Sequence, residues 1–277
     1  MSSPPVISVD YRGRLAIITI NNPSKLNALN ADQYYLLAQL LREVATHDEV
    51  YITLLIGTGR YFSAGADVTS TRQTPSTSSS PETSPHRIFL QSFVANNLNA
   101  THAFYTHPKI LIAALNGPVI GLSAALISFS DFIYATPETF LLTPFSSIGL
   151  VTEGGASRAL VQRLGVAKAN EALIMSRRIP VDELEKTGYV NKVFYEVKKG
   201  DSERFKELVL KEIDDKLGDH LVGESLLGIK KLIRRPEREI LDTQNVAEVF
   251  AGLDRFVSGV PQAEFEKIAT GKKRHKL

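Results

Sequence analysis

The residue most directly suited to chemistry is Glu153, an acid within a run of apolar residues and glycines at positions 148–155. A carboxylate is costly to desolvate in such surroundings, so its pKa is expected to rise toward neutrality. A raised pKa suits a group that takes up a proton and returns it near pH 7. The sequence alone equally allows Glu153 to begin a helix predicted over residues 156–164 and to interact with its dipole.

Two glycine-containing turns follow predicted strands and could present backbone amides to a ligand. One strand, residues 51–56, precedes Gly57-Thr58-Gly59, and another, Ile110–Leu115, precedes Asn116-Gly117-Pro118. Glycine allows a sharp turn and a close approach of bare backbone. A helix is predicted after the second turn, and its first N–H groups have no intrahelical partner. Neither turn has the pattern of a phosphate-binding loop.

The elements that must position these groups follow from apolar periodicity and from the distribution of charge. Leu15–Ile20 is predicted to be a strand, and Ala31–Ala45 an amphipathic helix. Residues 88–165 carry six charges in 78 residues and are expected to form most of the buried core. Within them, 110–129 has no charge over 20 residues, but the Asn-Gly-Pro turn favours strand, turn and buried helix over a membrane span.

The remaining regions divide by composition. Residues 69–85 are rich in Ser, Thr and Pro and are predicted to form a mobile loop. Beyond about residue 198, densely charged helices are predicted at Ser202–Leu217, 226–234 and 240–257. Their apolar faces need a partner surface, such as another subunit. We therefore predict a core at 1–197 and a helical region at 198–277.

Composition excludes several classes of function. The chain has 277 residues, 32 Lys+Arg, 30 Asp+Glu and no cysteine. A net charge of +2 argues against an overall nucleic-acid-binding surface, and the lack of cysteine removes disulfides, thiolate nucleophiles and cysteine-ligated metals. The N-terminus lacks the pattern of a signal peptide. The histidines show no metal-site spacing, so no metal is expected; they are His47, His86, His102, His107, His220 and His275.

Three segments together resemble the enoyl-CoA hydratase/isomerase (crotonase) superfamily. They are NPSKLNAL at 22–29, FSAGAD at 62–67 and NGPVIGLSAA at 116–125, and the similarity extends from about residue 7 to 193. The resemblance implies an α/β crotonase fold, a spiral of ββα units with a helical C-terminal region that forms a homotrimer or homohexamer. It also implies that the backbone amides of Ala66 and Leu122 form an oxyanion hole for the thioester of an acyl-CoA.

The resemblance further implies which residues contact the acyl-CoA: Lys25, Leu26, Ala28, Ala64, Gly65, Ala66, Asp67, Val68 and Leu122. Lys25 could meet the coenzyme A phosphates. Four basic residues of the helical end could do so as well, with a solvated helix face as the alternative for each: Lys230, Lys231, Arg234 and Arg235. Asp67 is expected to organise its loop or the adenine pocket, and Asp131 to cap a helix or form an ion pair. Coenzyme A enters only as part of the substrate.

Two departures from the family pattern bear on the reaction. Hydratases of the superfamily use two glutamates to activate water, and this chain has Ala125 and Phe145 at those positions. Glu153 lies where the Δ3,Δ2-enoyl-CoA isomerases of fungal peroxisomes carry their single catalytic glutamate. The resemblance therefore implies a Δ3,Δ2-enoyl-CoA isomerase, in which Glu153 moves a proton from C2 to C4 through a dienolate. No metal, flavin or nicotinamide is needed.

The sequence alone also allows three other functions. A dienoyl-CoA isomerase of the same superfamily would favour a second acid near Glu153, and the local sequence has none, although Asp67 is a candidate. A serine acyl hydrolase would use Ser123 with His220, since 121–125 is close to a nucleophile elbow but ends in alanine. A non-catalytic acyl-CoA-binding subunit would bind substrate analogues without turnover.

The C-terminal residues His275-Lys276-Leu277 resemble the Ser-Lys-Leu class of peroxisomal targeting signals. A basic frayed tail is the alternative interpretation. The signal predicts a peroxisomal location and an import receptor as partner.

Overall fold

A six-stranded sheet forms the centre of the computed structural model, which describes residues 5–67 and 84–273. The strands are β1 (Ile7–Arg12), β2 (Leu15–Ile20), β3 (Ile52–Gly57), β4 (Ile110–Leu115), β5 (Val119–Ile120), β6 (Phe132–Ala135), β7 (Phe140–Leu142), β8 (Ile179–Pro180) and β9 (Lys192–Val193). The six-stranded sheet has the order β1-β2-β3-β4-β6-β9, and a second sheet has the order β5-β7-β8.

Helices cover both sheets and make up most of the chain after β9. They are α1 (Ala31–Ala45), α2 (Pro85–Phe89), α3 (Ala95–Tyr105), α4 (Gly121–Ile127), α5 (Ala156–Leu173), α6 (Val181–Lys186), α7 (Ser202–Leu217), α8 (Gly223–Arg234), α9 (Arg238–Val257) and α10 (Val260–Ala269). A π-helical turn, Leu90–Val94, joins α2 to α3.

Two successive units of the chain each supply one strand to the large sheet, one strand to the small sheet and then a helix. β4, β5 and α4 form one such unit, and β6, β7 and α5 form the next. β3 and β4 are buried along their whole length, which explains their uninterrupted apolar sequence. They pair in parallel with Ile56 opposite Ala114. The turns that follow them therefore lie at the same edge of the large sheet.

Most predicted elements are confirmed, several with the predicted bounds. β2, α1, β4 and α7 begin and end where the sequence predicts. The predicted helix at 156–164 is longer, since α5 continues to Leu173 through a kink at Gly165, where φ is 74°. The predicted loop 69–85 lies outside the described residues except for its end, where Pro85 begins α2 and Ser84 caps it through a hydrogen bond from Arg87 N. The division at residue 197/198 stays a prediction.

A buried ion cluster attaches α8 to the large sheet. The Asp131 carboxylate lies 2.6 Å from Lys230 Nζ and 2.9 Å from Arg234 Nη2, and it accepts a hydrogen bond from Leu111 N. Lys230 also donates to the Lys109 carbonyl. Asp131 thus forms the predicted ion pair. A solvated helix face is wrong for Lys230, which is only 9% exposed.

Replacement of Gly117 by alanine tests the contact between the two turns. A Cβ at this position would lie 2.0 Å from the Arg60 carbonyl oxygen. Backbone must move to relieve that overlap, so Gly117→Ala should lower the free energy of unfolding by about 1–3 kcal/mol. The measurement is thermal or urea denaturation.

Gly228→Ala is the matched control, because among the described residues no atom outside the adjoining helix backbone lies within 4 Å of a Cβ built at this position. Since Gly228 is inside α8, this change should leave stability unchanged or raise it by about 0.5–1 kcal/mol through helix propensity. Equal stability of the two variants would contradict close packing of Gly117 against the Arg60 carbonyl.

Candidate active site

The segment after β2 packs against residues 62–67, which follow the first glycine turn. The Ala64 amide donates to the Leu26 carbonyl at 2.9 Å, and Leu29 forms a parallel bridge with Ala66. Lys25 Nζ lies 3.1 Å from Asp67 Oδ2. The structure therefore brings together the predicted acyl-CoA-contacting residues of both segments, apart from Val68, which lies outside the described residues.

The segments that follow the two glycine turns touch each other. A Cβ on Gly65 would lie 2.8 Å from the Ile120 carbonyl oxygen, and its third-nearest neighbour would be Gly121 Cα. Both glycines have positive φ, 88° at Gly65 and 61° at Gly121. The Ile120 amide completes the contact by donating to the Ser63 carbonyl at 3.0 Å. Glycine at position 65 is thus what allows the turns to approach.

The predicted oxyanion amides lie on either side of this contact. Around Ala66, the bridge is formed by Leu29 N donating to Gly65 O and by Asp67 N donating to Leu29 O. In a parallel bridge of this pattern the intervening amide, that of Ala66, points away from the partner segment. Leu122 lies in the first turn of α4, where N–H groups have no intrahelical acceptor. Both amides are therefore placed to bind an external acceptor.

Two buried asparagines hold the first turn in place. Asn27 donates from Nδ2 to the carbonyls of Thr58 and Tyr61 at 2.9 and 2.7 Å. Asn116 donates from Nδ2 to the carbonyls of Gly59 and Tyr61 at 2.8 and 3.1 Å. These bonds satisfy carbonyls that the sharp turn would otherwise bury without a partner.

Glu153 binds a buried asparagine of α3. Asn97 Nδ2 donates to Glu153 Oε2 at 2.9 Å, and the other atom of the Asn97 amide accepts from Thr101 Oγ1 at 3.3 Å. An ionised carboxylate only accepts hydrogen bonds, so the amide presents its N–H to Glu153 in that state. No sequence pattern indicates a role for Asn97, which lies 56 residues before Glu153.

A second acid near Glu153 lies on α9, a helix of the C-terminal region. Glu248 is buried and accepts hydrogen bonds from Gly155 N at 2.7 Å, from Ser157 N at 2.8 Å and from Ser157 Oγ. It therefore occupies the N-terminus of α5, where a negative charge is favoured. The alternative role for Glu153, as the acid that begins this helix, is not supported, since Glu248 takes that place.

The pKa of Glu153 is raised to about 7, first because burial disfavours its charged form and second because Glu248 adds negative charge nearby; the hydrogen bond from Asn97 acts in the opposite direction. Burial also raises the pKa of Glu248, against the hydrogen bonds from Ser157 and Gly155. A carboxyl group with a pKa near 7 can serve as both base and acid at neutral pH.

Comparison with known proteins agrees with this geometry. The sequence profile of the family described as enoyl-CoA hydratase/isomerase matches residues 10–215. The chain is 69% identical to a Delta(3,5)-Delta(2,4)-dienoyl-CoA isomerase of Pyricularia oryzae, over 98% of this chain and 99% of the relative. It is 34% identical to the 3,2-trans-enoyl-CoA isomerase of Saccharomyces cerevisiae, over 98% of this chain and 96% of the relative.

The chain belongs to the enoyl-CoA hydratase/isomerase family. It is an enzyme of the enoyl-CoA isomerase group within that family. The crystal structure of an enoyl-CoA hydratase/isomerase from Pseudoalteromonas atlantica superimposes with a TM-score of 0.82, at 24% identity, and the alignment covers 99% of this chain and 100% of that one. The predicted crotonase fold is thereby confirmed.

The two positions where the resemblance implies water-activating glutamates in hydratases are apolar and buried in this chain. Ala125 and Phe145, which occupy them, are 0% and 2% exposed. The expectation that the chain does not hydrate an enoyl-CoA stays a prediction. Glu248 lies near enough to Glu153 for its charge to raise the pKa of Glu153.

Other predicted residues have different places. Ser123 Oγ lies 2.8 Å from both Tyr34 Oη and Ser63 Oγ, whereas His220 is exposed in the turn after α7. That turn is bound by Arg14, which donates to the Gly218 carbonyl, so the pairing of Ser123 with His220 expected of a hydrolase is not formed.

The four basic residues at the end of α8 and directly after it form two groups, which differ in how exposed they are. Arg234 donates to the Phe129 carbonyl as well as to Asp131, so it and Lys230 hold the helix to the core rather than forming a solvated face. Lys231 and Arg235 are exposed. All four basic residues line a cavity of 650 Å³ between α8 and the end of α3. Contact of any of them with coenzyme A phosphates stays a prediction.

Two findings concern the described residues only. Among them, no three His, Asp or Glu side chains cluster as metal ligands would. None of the helices in residues 5–67 and 84–273 is both long and apolar enough to cross a membrane.

The charge of Glu248 provides a test of how the pKa of Glu153 is set. The value of kcat/KM for isomerisation should increase with pH, with a midpoint near pH 7, as Glu153 loses its proton; this increase is the limb that the test follows. Glu248→Gln removes a negative charge that raises the pKa of Glu153, so the limb should move to lower pH. The measurement is kcat/KM against pH.

Glu239→Gln is the matched control, since this acid is exposed on the same helix and should leave the limb in place. A limb at the same pH in wild type and Glu248→Gln would show that Glu248 does not influence Glu153.

Proposed function

We propose that the chain moves double bonds in unsaturated acyl-CoA thioesters, with a 3,5-dienoyl-CoA as first substrate and a 2,4-dienoyl-CoA as product. The observation that carries this choice of substrate is the 69% identity, over nearly the whole chain, to a relative named as a dienoyl-CoA isomerase. The site supports it with two amides directed outward and a carboxyl group whose pKa is near 7.

The chemistry follows from the acidity of C2 in such a substrate. Removal of a C2 proton by Glu153 leaves a charge that spreads over the conjugated carbons and the thioester oxygen. The amides of Ala66 and Leu122 would stabilise that oxygen, and loss of one such donor typically costs about 2.7–4 kcal/mol. Return of the same proton at C6 completes the shift, so protons balance and no redox step occurs.

The reaction of a Δ3,Δ2-enoyl-CoA isomerase is the second candidate. It uses the same base and amides, and the proton returns at C4 rather than C6. The 34% identity to the yeast 3,2-trans-enoyl-CoA isomerase supports it. The sequence favoured this reaction because no second acid was found near Glu153; Glu248 removes that objection to the dienoyl reaction, since it lies close to Glu153 in the fold.

A peroxisomal location and self-association are further parts of the proposal. One relative, 28% identical over 90% of this chain, is named a peroxisomal enoyl-CoA delta isomerase of mouse. Three apolar side chains on one face of α8 are 57–69% exposed: Ile229, Leu232 and Ile233. Such a face suits contact with further copies in a homotrimer or homohexamer. The tail residues His275-Lys276-Leu277, proposed to bind an import receptor, lie outside the described residues.

Turnover of two substrates tests the proposed function. Wild type should convert a 3,5-dienoyl-CoA to the conjugated 2,4-dienoyl thioester faster than it converts a 3-enoyl-CoA, as followed by ultraviolet absorbance. Glu153→Gln should lose activity on both by at least about 100-fold, because a general base contributes roughly 10²–10⁴.

Glu239→Gln should keep full activity. A faster reaction with the 3-enoyl-CoA would favour the second candidate. Near-wild-type turnover by a folded Glu153→Gln variant would refute the role of Glu153.

Import tests the location. A domain fused after Leu277 should leave isomerase activity intact but abolish peroxisomal import, because the receptor reads a free C-terminus. The same domain fused at the N-terminus is the control and should permit import. Equal import of both fusions would refute the targeting role.

A further inference from the structure

Three buried hydroxyl groups form a chain beneath the two amide-bearing turns. Tyr34 Oη lies 2.8 Å from Ser123 Oγ, and Ser123 Oγ lies 2.8 Å from Ser63 Oγ. Ser63 Oγ is 2.9 Å from the Asn27 carbonyl and 3.1 Å from the Gly65 amide. The three side chains are at most 5% exposed, so water does not compete for these bonds.

The direction of every bond in the chain is fixed. The Asn27 carbonyl can only accept, so Ser63 must donate its single hydroxyl hydrogen there. Ser63 then accepts from both Gly65 N and Ser123 Oγ, which uses both of its lone pairs. Because Ser123 donates to Ser63, Tyr34 must donate to Ser123. The order is Tyr34 to Ser123 to Ser63 to the Asn27 carbonyl.

This chain joins the parts of the site that must keep a fixed separation. Ser123 adjoins Leu122 at the start of α4, and Gly65, whose amide binds Ser63, adjoins Ala66. Asn27 belongs to the segment that contains Lys25, Leu26 and Ala28, and Tyr34 lies on α1. Hydrogen bonds arranged head to tail polarise one another and strengthen the series.

We propose that Tyr34, Ser123 and Ser63 are positioning residues that set the separation and direction of the Ala66 and Leu122 amides toward the thioester oxygen. This inference rests on the proposed function of those amides as an oxyanion hole. An oxyanion hole depends on donors placed at the position of the developing charge rather than that of the neutral carbonyl. Loosening the chain therefore affects the charged state more than the ground state.

The chain also explains what Ser123 does in place of nucleophilic attack. Its hydroxyl hydrogen is donated to Ser63, and its oxygen accepts from Tyr34. Burial raises the pKa of Tyr34 above its usual range, so the phenol keeps the proton that it donates. Ser123 is thus fixed between two neighbours and lies beside the site without serving as a nucleophile.

Two thioester probes separate positioning from general structure. Butyryl-CoA presents a neutral carbonyl, whereas the enolate of acetoacetyl-CoA places negative charge near the thioester oxygen. Binding of both should be measured by calorimetry for wild type, Tyr34→Phe, Ser123→Ala and the double variant, together with kcat, KM and thermal stability. Tyr35→Phe is the matched control, because Tyr35 is the next residue of α1 and is 50% exposed.

We expect Ser123→Ala to bind acetoacetyl-CoA roughly ten-fold more weakly, less than the 10²–10³ effect of losing a donor outright, with butyryl-CoA affinity unchanged. The same variant should lose kcat by a similar factor at constant KM. Tyr34→Phe should show a smaller loss in the same direction. The double variant should lose less than the product of the two single losses, since both changes break one chain.

Equal weakening of both probes, or wild-type discrimination in Ser123→Ala, would overturn the positioning role. The proposed function can fail separately: wild type that prefers the charged probe but turns over no unsaturated acyl-CoA would refute the isomerase and leave this inference standing. Wild type that shows no preference between the probes would refute both the oxyanion hole and the positioning chain.

Discussion

The contact between Gly65 and the Ile120–Gly121 backbone is the constraint on which the rest of the site depends. Two amides can act on one oxygen only if the turns that carry them approach within a few ångströms. The parallel pairing of β3 with β4 places both turns at one sheet edge, and the absence of a side chain at Gly65 allows the final approach. Buried asparagines and the hydroxyl chain then hold the geometry without any charge.

The acidic half of the site follows a different physical rule. A carboxylate in the charge-poor interior is destabilised unless other groups compensate, and Glu153 receives a hydrogen bond from Asn97 while facing the charge of Glu248. This partial compensation is what leaves its pKa near 7. Glu248 itself is stabilised by the α5 N-terminus. Helix α9 therefore contributes to the electrostatics of the site, although the sequence predicts it to belong to a helical region separate from the core.

The sequence predicted the parts of the fold that local pattern determines. β4 is a continuous apolar strand and α1 an amphipathic helix, so periodicity located both, and Asn-Gly-Pro marked the turn between β4 and α4. Asn97 and Glu248 were missed because they reach Glu153 only through tertiary packing, from 56 residues before it and 95 residues after it. A signal for Glu248 did exist: it lies seven residues after the buried Leu241 and therefore on the same face of the helix, where an acid requires a partner.

Cleavage of the bond between C2 and its hydrogen is the step that most directly tests the role of Glu153. A 3,5-dienoyl-CoA carrying two deuterium atoms at C2 would be incubated with wild type and with Glu153→Gln, and loss of deuterium from C2 followed by NMR, which distinguishes C2 from C6. We expect rapid loss of deuterium from C2 with wild type and none above the uncatalysed rate with the variant, which should still bind butyryl-CoA. Loss at the wild-type rate in Glu153→Gln would contradict it.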